Sequence, residues 1–228
     1  MNFNYIGNTL EPLETIEVAG ARYYVTPAKK KYPSVTTVLG YEEKDGITKW
    51  KKRVGSVEAK RVLDYASELG TAVHKLTEYY LLNQEQKREE LFYSSSQHAR
   101  VMFNSFTTNL DKINNIVALE APLYSNLLKL AGRTDCIAEY KNVPAIIDFK
   151  TSKNMKEEWW IENYFMQGTA YSLMYQELTK KKIEDIVILM VNYDCSLNVY
   201  HKKRDKYIKP LLTLIKRVLP NFGENLEL

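Results

Sequence analysis

Two aspartates and a lysine lie close together in the middle of the chain, in a pattern suited to phosphodiester hydrolysis. Gly132-Arg133-Thr134-Asp135-Cys136-Ile137-Ala138 is followed by Ala145-Ile146-Ile147-Asp148-Phe149-Lys150. The second run is a short apolar stretch ending in Asp-x-Lys. Residues two apart in a strand share a face, so Asp148 and Lys150 project together and Phe149 turns away. Asp135 lies thirteen positions before Asp148, and residues 140–144 read as a turn. The two strands can therefore pair as a hairpin and bring both aspartates to one place. Two carboxylates can hold a hard divalent cation such as Mg²⁺ and leave positions for water and phosphate. A lysine beside them can orient or deprotonate the attacking water, or offset charge in the transition state.

Three further groups fit this pair. His74 and Glu78 stand four apart and share a helix face. Imidazole suits Mn²⁺, and Mg²⁺ when carboxylates dominate the site; the plain alternative is a surface or satisfied core histidine. Glu120 sits inside the apolar run 117–123. A carboxylate there is either paired or metal-linked, because burial alone is costly, or it faces solvent by simple alternation. Gln167 and Tyr171 share one face of a helix and can hydrogen-bond a phosphate or a water without adding charge.

The elements that must position these groups are legible in outline. A hairpin over residues 16–25 turns at Ala19-Gly20-Ala21. Ser34 caps a short helix through Leu39, and a polar turn follows at 42–46. Residues 47–83 read as mostly helical, with breaks at Gly55-Ser56 and Gly70 and with Ser56 as an N-cap. Residues 84–109 become helical, anchored by Val101, Met102, Phe103 and Phe106. Three strands follow at 115–124, 128–140 and 143–150. A long helix over 156–179 carries Trp159, Trp160, Tyr164, Gln167, Tyr171 and Met174 at helical spacing. Strands at 183–192 and 197–200 precede an amphipathic helix over 204–219, with Ile208, Leu211, Leu212, Ile215 and Leu219 on one side. This order predicts a mixed α/β (α+β) core with a helical N-terminal part.

The chain has 228 residues, 45% of them hydrophobic and 26% charged, which is enough to bury a proper core. Its formal charge of +4 is compatible with nucleic acid. Two runs concentrate the positive charge. Residues 49–61 hold six basic groups against Glu58, and residues 200–217 hold seven against Asp205. Each reads either as a nucleic-acid contact or as a solvated helix face. Cys136 and Cys195 both lie in apolar, strand-like stretches and read as small buried residues. Two cysteines fall short of the four thiolates of a typical iron–sulfur cluster. No stretch is long and apolar enough to predict a membrane span, and the N-terminus shows no secretory or mitochondrial leader pattern.

In order, these motifs resemble a known family. Pro33-Ser34-Val35-Thr36-Thr37-Val38-Leu39, Trp50-Lys51-Lys52-Arg53-Val54-Gly55 and Gly70-Thr71-Ala72-Val73-His74 precede Gly-x-x-Asp, apolar-Asp-x-Lys and Gln-x-x-x-Tyr. The set, over residues 32–175, is similar to the RecB-type branch of the PD-(D/E)XK nuclease superfamily, in the group of mitochondrial genome maintenance exonucleases and their phage and bacterial relatives. The resemblance implies a central mixed sheet between helices, in a single nuclease domain over 1–228. Residues 1–110 would supply a hairpin and a helical arch, and 111–228 the catalytic core. It assigns His74, Asp135, Asp148 and the Phe149 carbonyl to Mg²⁺ or Mn²⁺. It makes Lys150 the catalytic lysine, sets Gln167 and Tyr171 beside the substrate phosphate, and implies no iron–sulfur cluster.

The expected activity is exonucleolytic hydrolysis of single-stranded DNA ends. Lys51, Lys52 and Arg53 would contact substrate, and Trp50, Tyr65, Tyr79 and Tyr80 would either stack on bases or fill the core. Glu120, Glu78 and Ser34 are further candidates. Any helicase or recombination partner would be a separate protein. The expected setting is bacterial or phage, in the cytoplasm of the cell or host. The alternatives are a structure-specific endonuclease with the same chemistry and a catalytically silent nucleic-acid-binding subunit.

Overall fold

A computed structural model describes residues 2–7, 10–42 and 44–222, with Lys44 and Asp45 described by their backbone alone. The expected hairpin forms as β1 (Glu14–Val18) and β2 (Ala21–Val25), extended into a small antiparallel sheet by β3 (Lys31–Pro33). Ser34 caps α1 (Val35–Leu39): its hydroxyl accepts the Thr37 N–H at 3.0 Å.

Two helices follow, α2 (Lys44–Val54) and α3 (Ser56–Leu81), parted at Gly55 with φ 86°. The polar turn expected at 42–46 is therefore shorter, since α2 takes in residues 44–46; Glu43 lies outside the described residues. Ser56 is the first helical residue and not the N-cap, a place taken by Gly55. The break expected at Gly70 is absent, and α3 runs on for 26 residues, about 39 Å. A helix tolerates glycine at about 1 kcal/mol, and here the missing side chain is useful. A Cβ at Gly70 would stand 3.2 Å from Thr151 Oγ1, so glycine lets the middle of α3 lie close to the strand that carries Lys150. Next come α4 (Glu85–Ser94) and α5 (Gln97–Leu110). Met102, Phe103 and Phe106 are buried as expected, whereas Val101 lies off that stripe and is exposed.

The central sheet has five strands in chain order: β4 (Ile113–Ser125), β5 (Leu130–Tyr140), β6 (Val143–Ser152), β7 (Asp185–Asn192) and β8 (Leu197–Lys203). The turn between β5 and β6 is only Lys141-Asn142, both at positive φ, the conformation that suits a two-residue hairpin. Tyr140, Val143 and Pro144 belong to the strands. The β6–β7 pair is parallel and the other neighbours are antiparallel. A parallel pair needs a crossover, which α6 (Glu162–Thr179) supplies. The expected start of that helix at 156 is corrected. Trp159 and Trp160 lie in a 3₁₀ turn before it and are exposed, and Ile161 is the first residue there to be buried. The last long helix is α7 (Asp205–Val218). Its buried stripe is Leu211, Leu214, Ile215 and Val218, with Leu212 exposed and Ile208 only partly buried. Cys136 is buried in β5, but Cys195 sits partly exposed in the turn between β7 and β8, at φ 67°.

Strand alternation gives the sheet two covered faces. Ile146, Ile188 and Met190 pack with α1, α6 and α7 through Val38, Phe165 and Leu211. Ile147, Phe149 and Leu189 pack with α3 and α5 through Leu76 and Phe106. Each such fully buried side chain contributes about 1.5–3 kcal/mol. Among the described residues, no helix is long and apolar enough to cross a membrane.

Candidate active site

The chemistry-bearing side chains meet at one end of the sheet, where helices from both faces reach the rim. On β6, Asp148 and Lys150 project together and Lys150 Nζ lies 2.5 Å from Asp148 Oδ2. Phe149 points to the other face, where its ring meets Phe106 and His74 edge-on. The β5–β6 ladder runs to Cys136–Ile147. One step beyond, Asp135 Oδ2 accepts the Phe149 N–H at 2.8 Å. That bond ties the Asp135 carboxylate to the strand bearing Asp148 and Lys150, which is the convergence the hairpin spacing predicted.

Two more groups arrive from opposite helices. His74, on α3, places Nε2 3.1 Å from Asp135 Oδ2 and Nδ1 3.7 Å from Glu120 Oε1. Gln167, on α6, donates from Nε2 to Asp148 Oδ1 at 3.1 Å. Tyr171, one turn further along α6, is buried against Gly132. A Cβ there would stand 2.8 Å from the Tyr171 ring, so only glycine lets that ring close over β5. Glu120 settles the choice left open between solvent and site. It is paired, with Arg133 Nε at 2.7 Å from Oε2. Its backbone has φ 49°, a left-handed conformation that sequence alternation does not anticipate.

The electrostatics follow from crowding. Burial pushes the Asp135 carboxyl up, but the His74 hydrogen bond, the Lys150 and His74 charges and the Phe149 N–H together hold it below its ordinary range. Burial raises Asp148, with Asp135 adding to the push, and Lys150 only partly offsets this. Burial would lower Lys150, yet the charges of Asp148 and Asp135 outweigh it and keep the ammonium. Burial also raises Glu120, with Asp135 adding to it against His74 and Arg133. It lowers His74, but the Asp135 hydrogen bond and the two carboxylate charges leave the net shift upward. Burial and the two aspartates push the Tyr171 hydroxyl well above its ordinary value.

One donor atom each from His74, Glu120 and Asp135 lies within 4.8 Å of the others. An imidazole and two carboxylates at that spacing fit a divalent cation. His74 and Glu120 border a cavity of about 740 Å³ lined also by Gly70, Glu78, Phe149 and Lys150.

The other proposed residues lie elsewhere. Glu78 lines the cavity but accepts from Lys75 at 2.7 Å. Lys51, Lys52 and Arg53 are exposed on α2, and the two lysines border a separate groove. Ser34 is buried and uses its hydroxyl on Thr36, Thr37 and the α1 cap. Tyr80 packs between Phe3 and Phe103, and Tyr65 bonds His98. Arg133 stands between Gly132 and Asp135 in the motif, but its role was not legible there. Its position two residues from Asp135, on one strand face, was the available signal.

With this geometry in place, the class follows. The PD-(D/E)XK nuclease superfamily signature matches residues 49–209, a span that includes every group gathered at the site. The chain belongs to that superfamily, whose nucleases use divalent metals. Mitochondrial genome maintenance exonuclease 1 of Mus musculus is 29% identical over 137 residues, or 56% of this chain. The match spans 39% of the mouse protein. A solved Eubacterium rectale structure, described as a candidate exonuclease, aligns over 67% of this chain and 65% of its own, with TM-score 0.48 and 12% identity.

Proposed function

We propose that the protein is a divalent-metal-dependent deoxyribonuclease acting on single-stranded DNA ends as an exonuclease, with Mg²⁺ or Mn²⁺ as cofactor. The observation that carries this reading is the meeting of His74, Glu120 and Asp135, the first two at an open cavity that Lys150 on the neighbouring strand also lines. A divalent ion bound there would supply Lewis acidity toward the scissile phosphate and the attacking water.

The chain's own groups set the geometry. Asp135 stays ionised and is fixed by the Phe149 N–H. Asp148 anchors Lys150, and Gln167 in turn orients Asp148. Lys150 remains an ammonium, so it serves better as a hydrogen-bond donor and positive charge toward the phosphate or water than as a base. Gln167 and Tyr171 act by holding the carboxylates and β5 in place. The basic face of α2, with Lys51, Lys52 and Arg53, and the outer half of α3 form a wall that guides the strand. Likeness to the mouse exonuclease supports end-directed action.

The test is cleavage of end-labelled single-stranded DNA, linear and circular, with Mg²⁺, with EDTA, and with Lys150→Ala. The expected result is Mg²⁺-dependent loss of the linear strand alone, slowed at least about 100-fold by the substitution. Equal cutting of the circle would make the protein an endonuclease. Tight binding without cleavage of either would make it a silent binding subunit.

A further inference from the structure

A second cavity of about 740 Å³ adjoins the first, and the two share Glu120 and Arg133. Its walls are drawn from several segments, three of which bear on its chemistry. Tyr5 and Leu10 belong to the N-terminal segment, which runs along β4 through the Ile6 N–H to Ile116 O bond at 2.9 Å. Arg22 and Tyr24 come from β2, and Pro122 from β4 itself. The charged lining groups are Arg22, Arg133 and Glu120, an excess of one positive charge. The Arg133 side chain is 59% exposed and reaches across the boundary between the cavities to Glu120, which is 22% exposed. Glu120 belongs both to this pair and to the cluster with His74 and Asp135.

We propose that the second cavity receives the nucleotides adjoining the scissile phosphate, and that Arg133 binds the phosphate joining the two cavities; this rests on the nuclease reading above. The volume falls within the range that encloses a small organic ligand, here one or two nucleotide units. A guanidinium is a planar fork that matches a phosphate bidentately. Arg22 supplies a second cation further in, and the exposed Tyr5 supplies ring surface for a base. Without substrate, Glu120 neutralises Arg133 and holds it across the boundary. Removing the Glu120 charge frees the guanidinium for the strand. A pair that only braces β4 against β5 has no such consequence.

The test is anisotropy of a short fluorescein-labelled oligothymidylate in EDTA, where cleavage does not interfere. Arg133→Ala should bind about ten-fold more weakly, with its salt slope reduced by about 0.7. Arg133→Lys should recover part of the loss. Glu120→Gln should bind more tightly than the wild type, and that gain should vanish in the double variant with Arg133→Ala. Urea midpoints, read in parallel, separate a fall in binding from a loss of fold, since Arg133 is exposed but Glu120 is only 22% exposed. Unchanged binding by Arg133→Ala would overturn the assignment, as would parallel weakening by both single variants. If the wild type still cleaves with Mg²⁺ in that case, only this subsite falls. A wild type that neither binds in EDTA nor cleaves with Mg²⁺ would remove the nuclease reading and this inference together.

Discussion

Asp148, Lys150 and Gln167 form a closed side of the site, while His74, Glu120 and Asp135 form an open one. On the closed side each polar group has its partner within the protein, and Asp148 is 1% exposed. The open side borders the cavity and gathers two carboxylates around one imidazole, with Arg133 at its edge. With the histidine neutral, the two carboxylates exceed the one Arg133 cation by one negative charge. Asp148, expected as a metal ligand, is paired with Lys150 and lies outside the His74–Glu120–Asp135 cluster. On the function proposed above, the closed side would fix the lysine and the open side would receive the cation. Stability and activity should be coupled on the first and separable on the second.

The largest effect tests that separation directly. Asp148→Ala leaves the Lys150 ammonium partly buried without its partner, at about 3 kcal/mol of stability. His74→Ala on the open side should change stability by under about 1 kcal/mol and weaken Mn²⁺ binding at least about ten-fold. Urea unfolding and titration calorimetry read the two quantities. Equal stability losses in both variants would erase the distinction.

The pH dependence sharpens it. The folded His74 pKa is raised, so in the metal-free protein its contribution to stability is full below the unfolded value of about 6.5 and is lost as pH rises through the folded value. Metal binding needs the neutral ring, so Mn²⁺ affinity should fall as pH drops through the raised His74 value. His74→Gln should flatten that profile; an unflattened profile would move the titration to another group.

The smallest effect lies outside both sides. Replacing Lys51, Lys52 and Arg53 together by alanine should leave the urea midpoint unchanged. It should lower the salt slope of single-strand binding by about 2. An unchanged slope would make α2 a solvated face only.

The two basic runs show where sequence reading stops. In the 200–217 run, Lys202 pairs with Glu158, Lys203 with Asp185 and Arg217 with Glu42. Arg204 is buried against Ser172. These partners come from distant segments, so composition could not separate this run from 49–61. There Lys60 and Arg61 have local partners, while Lys51, Lys52 and Arg53 form no ion pair among the described residues. Asp148 and Lys150 were legible because strand alternation is a local rule. Asp135 was legible because a hairpin turn fixes register. Glu120 stayed open because its direction depends on a left-handed residue inside β4. Trp159 and Trp160 misled because helical spacing continues on paper through a loop that becomes helical only after Ile161. Gly70 misled because its smallness serves contact with Thr151, not a helix end.

The neighbouring order of β4, β5 and β6 also bears on how the site comes into being. Glu120, Asp135 and Asp148 are gathered by two successive hairpins, closures of short loops that cost little entropy. His74 belongs to a helix far upstream, and bringing it to the sheet closes a longer loop at a greater entropic cost. The two hairpins also carry the carboxylates' own countercharges, Arg133 beside Glu120 and Lys150 beside Asp148. Most of the charge compensation at this centre is therefore local to the sheet, and only the imidazole is lent by a distant segment.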